Sequence, residues 1–349
     1  MHDPYHLTKG HILKIDLRTA RPARRVGAGL AATALTVSLA GCGLSEEDSV
    51  GNAAGGDCGG LSATGDTIDA TGLDGVGVVV GSKDFDEQLI LGELTSQYLC
   101  LWGADNSTDL NTQGSTQARD KIIRGDNDIM WEYTGTGWIN YLGNDKPIFD
   151  PQKQYDAVKK ADVKNDVFWG PLSPFNNTYA FAVTEDFASE NDIASHSDMA
   201  AYIGQNPSAT VCVESEFANR PDGYPGFKKA YGITGGSEKS LGTGVIYTQT
   251  AQGNCDFGEI FTTDGRIGAN NLVVLEDDKS FFPLYNGVPV TNVAYEEENP
   301  EVMEALAPLA ESLTTEVMQD LNTRKSADGE SETVIAHDYL VEAGFAEES

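Results

Sequence analysis

Short runs of β-branched and apolar residues alternate along this chain with stretches in which apolar residues return every three or four positions. The first pattern marks buried strands and the second amphipathic helices. Val76–Gly81 (VGVVVG), bounded by glycine, predicts a buried strand. Phe85–Trp102, with Leu89, Leu91, Leu94, Tyr98 and Leu101 at helical spacing, predicts the helix after it. Gln117–Arg124 predicts a second helix and Asn127–Trp131 a short strand. Tyr179–Thr184 (YAFAVT), Thr210–Val213, Asp256–Thr262 and Leu272–Leu275 read as further strands, with helices over Gly226–Tyr231 and Gly244–Gln252 between them. Glu301–Leu321 predicts one long amphipathic helix and Glu332–Ala343 a last one. Strands alternating with helices make this an α/β protein with largely parallel sheets, in which ligands sit beyond the carboxyl ends of strands. No internal repeat is visible in the sequence.

The beginning of the chain breaks this pattern. Arg21, Arg24 and Arg25 form a basic cluster, Val26–Leu39 is uncharged, and Leu39-Ala40-Gly41-Cys42 follows. A charged region, a short apolar stretch and a small-residue cleavage site make a secretory signal over residues 1–41. Its apolar run is shorter than the roughly 20 residues a membrane-spanning helix needs. Leu-Ala-Gly-Cys resembles a bacterial lipobox, which implies that Cys42 is acylated and becomes the new N-terminus. Residues 42–75, rich in Gly, Ala, Ser, Asp and Glu, then read as a flexible tether to that lipid anchor. The expected location is the outer face of the cell membrane.

Charge narrows the choice of partner. Against 23 Lys and Arg the 349 residues carry 54 Asp and Glu, a net charge of −31. Residues 1–41 hold a surplus of +4, so their removal leaves about −35. A surface this acidic repels nucleic acid and anionic headgroups.

Candidate chemistry of the catalytic or metal kind is scarce. Beyond Cys42 there are four cysteines, Cys58, Cys100, Cys212 and Cys255, an even number that predicts two disulfides in an exported chain. Of the three possible pairings, Cys58–Cys100 with Cys212–Cys255 is favoured because each stays within one half of the chain. No C-x-x-C pair supports a metal. Gly75, Gly77 and Gly81 lie before and inside a strand, the wrong place for a nucleotide-binding fingerprint. No Walker A, G-x-S-x-G or H-E-x-x-H motif occurs, and the mature chain holds only His196 and His337, far apart in sequence. The expectation is a binding protein without catalytic residues, metal or cofactor.

The informative segments lie at the ends of predicted strands. They are Gly81-Ser82-Lys83-Asp84-Phe85, Glu132-Tyr133-Thr134-Gly135-Thr136, Phe175-Asn176-Asn177-Thr178-Tyr179, Glu216-Phe217-Ala218-Asn219-Arg220, Gly244-Val245-Ile246-Tyr247 and Thr263-Asp264-Gly265-Arg266-Ile267. In this order and spacing the chain, from about Val78 to Tyr339, resembles the osmoprotectant (glycine betaine, carnitine, choline) substrate-binding proteins of ABC transporters.

That resemblance implies a two-lobed, periplasmic-binding-protein-like clamshell with two chain crossovers. Lobe 1 would combine residues 76–176 with 276–345, and lobe 2 would be 177–275, with crossings near Asn177 and Val274. An aromatic box for a quaternary-ammonium headgroup falls on Tyr133, Tyr179 and Tyr247, with a backbone carbonyl at Asn177. The solute's carboxylate falls to Lys83, Thr136 and Arg220, and Glu216 either orients Arg220 or forms a simple helix salt bridge with it. The fourth cage position of the family aligns with Asn270, leaving either a three-sided box or a place for Phe261, Phe217 or Trp138. The implied partners are a small quaternary-ammonium solute, an ABC permease and its ATPase.

Overall fold

The computed structural model describes residues 58–64, 68–144 and 146–349. The expected signal at 1–41, the expected lipidation site Cys42 and residues 43–57 and 65–67 of the expected tether lie outside the described residues. Two sheets organise the rest. In the first, Gly77–Lys83 pairs in parallel with Asp105–Thr112. A parallel bridge from Val80 to Ile129 leads into Met130–Tyr133, which pairs antiparallel with Gly287–Asn292, and that strand pairs antiparallel with Val167–Trp169. The second sheet runs Leu272–Val274, Tyr179–Thr184, Phe257–Phe261, Thr210–Val213, Ser237–Ser240.

Each sheet is the core of one lobe, and the chain crosses between them twice. Both sheets are mixed, not largely parallel. The antiparallel strands are the ones that carry the chain in from the other lobe: Tyr179–Thr184 runs against both neighbours, as does Gly287–Asn292. A chain entering from the cleft side starts at the opposite end of the sheet from a chain that has just traversed a helix, so its direction is reversed. The two crossings lie side by side, joined by a bridge between Asn176 and Asn286 and by the Asn177 amide donating to the Tyr285 carbonyl at 3.1 Å. The return crossing falls later than Val274. Glu276 still bridges Ser195, and Phe281 and Phe282 pack on Phe227 of the second lobe.

Helix Asp86–Leu101 buries Ile90, Leu91, Leu94, Tyr98 and Leu99 beneath the first sheet and against helices Thr315–Ser326 and Glu332–Glu342. It starts at Phe85 with Asp86 and Glu87 in the first turn, where the helix dipole favours anions. The single helix expected over Glu301–Leu321 is three: Pro300–Ala305, Ala307–Ser312 and Thr315–Ser326. Pro308 cannot donate into the preceding turn, and the Thr314 hydroxyl accepts from the Val317 amide and starts the last helix afresh.

The tether is also shorter than its composition implied. Within 58–75, Leu61–Ala63 pairs antiparallel with Ala346–Glu348, Cys58 is disulfide-bonded to Cys100, and Leu73 is buried. A covalent bond, a strand pairing and the burial of Leu61, Ile68 and Leu73 in the main core hold this segment to the body. The other disulfide is Cys212–Cys255, which gives the favoured pairing. Among the described residues, no helix is long and apolar enough to cross a membrane.

The disulfides close loops of 42 and 43 residues. Chain-entropy reasoning values each at about 4 kcal/mol. Replacing Cys212 and Cys255 by alanine should lower the urea midpoint and raise the slope, because the uncrosslinked unfolded chain is more expanded; an unchanged midpoint would show that the bond does not constrain the unfolded chain.

Candidate functional site

Strand ends from both lobes surround one small cavity of about 80 Å³, the room of several water molecules. Lys83 ends the strand Gly77–Lys83, and Phe85 caps the helix that follows. Tyr133 ends Met130–Tyr133, and Thr136 lies in the turn of helix after it. Asn177 sits on the first crossing and Tyr179 opens the strand beyond it. The segment after Thr210–Val213 brings Glu214, Glu216 and Arg220, Phe261 ends its strand, and Tyr285 lies on the return crossing.

Five rings run continuously along the cavity wall. Phe85 lies 6.2 Å from Tyr133 and stacks on Phe261 at 5.6 Å, crossing from one lobe to the other. Phe261 packs on Tyr179 at 5.0 Å, and Tyr179 meets Tyr285 edge-on at 5.3 Å. Burial pushes the hydroxyl pKa values of Tyr133, Tyr179 and Tyr285 well above the ordinary tyrosine value, so these rings stay neutral. Neutral aromatic faces attract cations.

The cations of the cavity are already paired. Lys83 Nζ donates to Glu132 Oε1 at 2.5 Å, with both groups buried. Arg220 grips Asp222 with Nε and Nη2 at 2.9 and 2.6 Å, donates to Glu216 at 2.9 Å, and reaches the Thr136 hydroxyl at 3.3 Å. Tyr285 donates its hydroxyl to Asp222 at 2.7 Å. Glu216 therefore does pair with Arg220, and its other oxygen accepts from the Ser115 amide across the cleft at 3.1 Å. Burial raises the Glu216 pKa, but Arg220 and Lys83 outweigh it and hold the carboxyl below its usual range. Behind the wall, burial and the neighbouring Glu214 push the fully buried Glu259 up to about 8.

Six of the eight residues singled out from the sequence meet at this cavity: Lys83, Tyr133, Thr136, Asn177, Tyr179 and Arg220. Tyr247 does not. It is fully buried behind the second sheet among Ala180, Ala182, Ile260 and Leu272, and its hydroxyl accepts from the Phe261 amide at 2.9 Å. The helix Thr243–Ala251 turns it into the core and presents Val245 to solvent. Asn270 is also elsewhere, closing a helical turn by donating to the Arg266 carbonyl at 2.9 Å. Of the three substitutes considered, Phe261 lines the cavity, Phe217 packs behind Tyr179, and Trp138 bonds the Lys146 carbonyl away from it.

Sequence reasoning missed Phe85 and Tyr285. Phe85 was legible as the second residue after a strand-end lysine. Tyr285 was hidden with the strand it precedes. Among the described residues, no group of three or more His, Cys, Asp or Glu is placed to hold a metal ion.

Glu259 gives a pH test. Its folded pKa of about 8 lies above the ordinary value of 4.5, so the native state holds a proton that the unfolded chain releases. Stability from this group is full below about pH 4.5, falls by at most about 1.4 kcal/mol per unit through the window, and levels off above the folded value. Glu259→Gln should thus gain stability relative to wild type as pH rises from about 5 to 8 in urea denaturation. A constant difference between the two would mean that Glu259 does not titrate there.

Comparison with known proteins agrees with this geometry. The family model "Substrate binding domain of ABC-type glycine betaine transport system" matches residues 76–342. The glycine-betaine-binding protein of Pseudomonas aeruginosa is 34% identical over 271 residues, covering 75% of this chain and 86% of that one. An ergothioneine transport permease/ergothioneine binding protein of Helicobacter pylori is 31% identical over 270 residues, 77% of this chain and 48% of that one. A solved glycine betaine/carnitine/choline ABC transporter structure superposes with a TM-score of 0.63 at 29% identity, covering 77% of this chain and 99% of that one. The chain belongs to the substrate-binding family of ABC-type glycine betaine transport systems: it is an extracytoplasmic two-lobed solute-binding protein and not an enzyme.

Proposed function

We propose that this protein captures glycine betaine, holding the trimethylammonium group against the rings of Tyr133, Tyr179, Phe261 and Tyr285, and delivers it to an ABC permease driven by a separate ATPase. The observation that carries this reading is one cavity lined by rings from both lobes with Lys83 and Arg220 in the same lining. A quaternary ammonium has no N–H to donate, so aromatic faces are its natural partners. Four such contacts, at about 0.5–2 kcal/mol each, contribute roughly 2–8 kcal/mol, so only at their upper limit do they reach the roughly 8 kcal/mol of micromolar binding. The anionic end must supply the remainder. Lys83 spends one of its three donors on Glu132 in the bonds described, and Thr136 offers a hydroxyl beside Arg220. The cavity's small size also fits a solute of few heavy atoms.

One observation favours choline as a second reading: Asp84, Glu214 and Glu216 line the cavity, outnumbering its two cations. Choline carries a hydroxyl where betaine carries an anion.

Lobe 1 in this reading comprises residues 76–176 with the segment after the return crossing to 345, and lobe 2 residues 177 to about 284. Solute enters between open lobes. Closure is favoured only by contacts stronger in the closed form, and the bonds Glu216–Ser115 and Arg220–Thr136, with the ion pair Arg266–Asp86 at 3.1 Å, span the cleft. Export by the signal at 1–41 and acylation at Cys42 would tether the body to the outer face of the cell membrane. Growth with labelled palmitate should label the wild type and not Cys42→Ala; equal labelling removes the anchor.

Isothermal titration tests the ligand. Glycine betaine should bind the mature protein more tightly than choline, and Tyr133→Ala, Tyr179→Ala, Phe261→Ala and Tyr285→Ala should each lose at least about tenfold. Asn270→Ala, away from the cavity, should bind as wild type does. Tighter binding of choline would overturn the betaine assignment, and ring variants that bind normally would overturn the cage.

A further inference from the structure

Glu87 occupies the second position of helix Asp86–Leu101 and is fully buried, yet no Lys or Arg pairs with it among the described residues. Its two oxygens face different ways. Oε1 accepts from the Tyr133 hydroxyl at 2.7 Å and from Asn177 Nδ2 at 2.8 Å. Oε2 accepts from the Thr263 hydroxyl at 2.6 Å and from Asn322 Nδ2 at 2.8 Å. Four donors match the four acceptor sites of an ionised carboxylate, a demanding arrangement for a group that contributes no apolar packing.

The donors divide by lobe in an informative way. Tyr133 belongs to the first sheet and Asn177 to the first crossing. Thr263 follows the strand Phe257–Phe261 of the second sheet, two residues beyond the cavity ring Phe261. Asn322 also donates to the Thr263 carbonyl at 3.0 Å, so Thr263 is gripped at both its hydroxyl and its backbone. One carboxylate thus fixes the ring supplied by one lobe with one oxygen, and the strand end carrying the ring of the other lobe with the second.

We propose that Glu87 is the positioning residue that locks the Tyr133 and Phe261 rings to one spacing when the lobes are closed, so that the strength of the aromatic cage depends on a carboxylate that never touches the solute. This rests on the cage reading above. Burial raises the Glu87 pKa, while its four donors act in the opposite direction.

A double-mutant cycle tests it. Tyr133→Phe keeps the ring face and removes the hydroxyl; Thr263→Val keeps the shape and removes the other. Glycine betaine is titrated calorimetrically into wild type, both single variants and the double, with melting temperatures measured alongside. If Glu87 couples the two rings, each single variant loses roughly tenfold in affinity. The double variant then loses about tenfold too, since the lock is already broken. In a Glu87→Gln background neither substitution should change affinity further; should that variant not fold, the four-member cycle decides alone. Losses that multiply to about a hundredfold overturn the coupling. So do single variants that melt earlier yet bind betaine as wild type does, because Glu87 is then structural only. A wild-type chain that binds no betaine overturns the cage reading and this inference together, whereas multiplying losses overturn this inference alone.

Discussion

Aromatic rings that come from two separate sheets can share a cavity only if the strand ends carrying them are held at one spacing. Everything else in the cleft serves that spacing. The two crossings lie bonded to each other at Asn176–Asn286 and Asn177–Tyr285, so the lobes are joined through a narrow connection. Tyr285 sits on that connection, and Tyr179 opens the strand immediately beyond it. Two of the rings are therefore set by the crossings, while Tyr133 and Phe261 are carried by strand ends of the two sheets. The Phe85–Phe261 stack closes the ring path between those strand ends.

Charge in the cleft is arranged under the same constraint. The chain carries more than twice as many acidic as basic residues, yet two of its basic side chains line the cavity. Neither is left alone. Lys83 rests on Glu132, and Arg220 is clasped by Asp222 and Glu216. Removing one member of such a buried pair costs about 3–5 kcal/mol, because the other charge is stranded. The pairs fix where each cation points before a solute arrives, at the expense of some of its attraction for an anion.

How much of this was legible in the sequence follows from burial. Tyr179–Thr184 and Thr210–Val213 are apolar because both faces of their sheet are covered, and their bounds were readable to the residue. The strand Asp105–Thr112 (DNSTDLNT) is a largely exposed edge and carries almost no apolar signal. Gly287–Asn292 was hidden by Pro289, a residue that argues against a central strand. Missing that strand also hid Tyr285 just before it. Tyr247 failed for a different reason. Its helix is apolar on several sides, so the sequence held no clue to which way the ring would turn, and packing behind the second sheet decided it. Residues at the ends of recognisable strands were readable as a group; those whose direction depends on a partner element were not.

The central claim concerns where one methylated nitrogen sits, and a crystal structure of the mature protein grown with glycine betaine measures that directly. Expected is a trimethylammonium group within about 6 Å of the ring centroids of Tyr133, Tyr179, Phe261 and Tyr285, with its carboxylate turned toward Lys83 and Arg220. Density for the solute outside this cavity, or a Tyr247 ring swung in against the methyl groups, would contradict it.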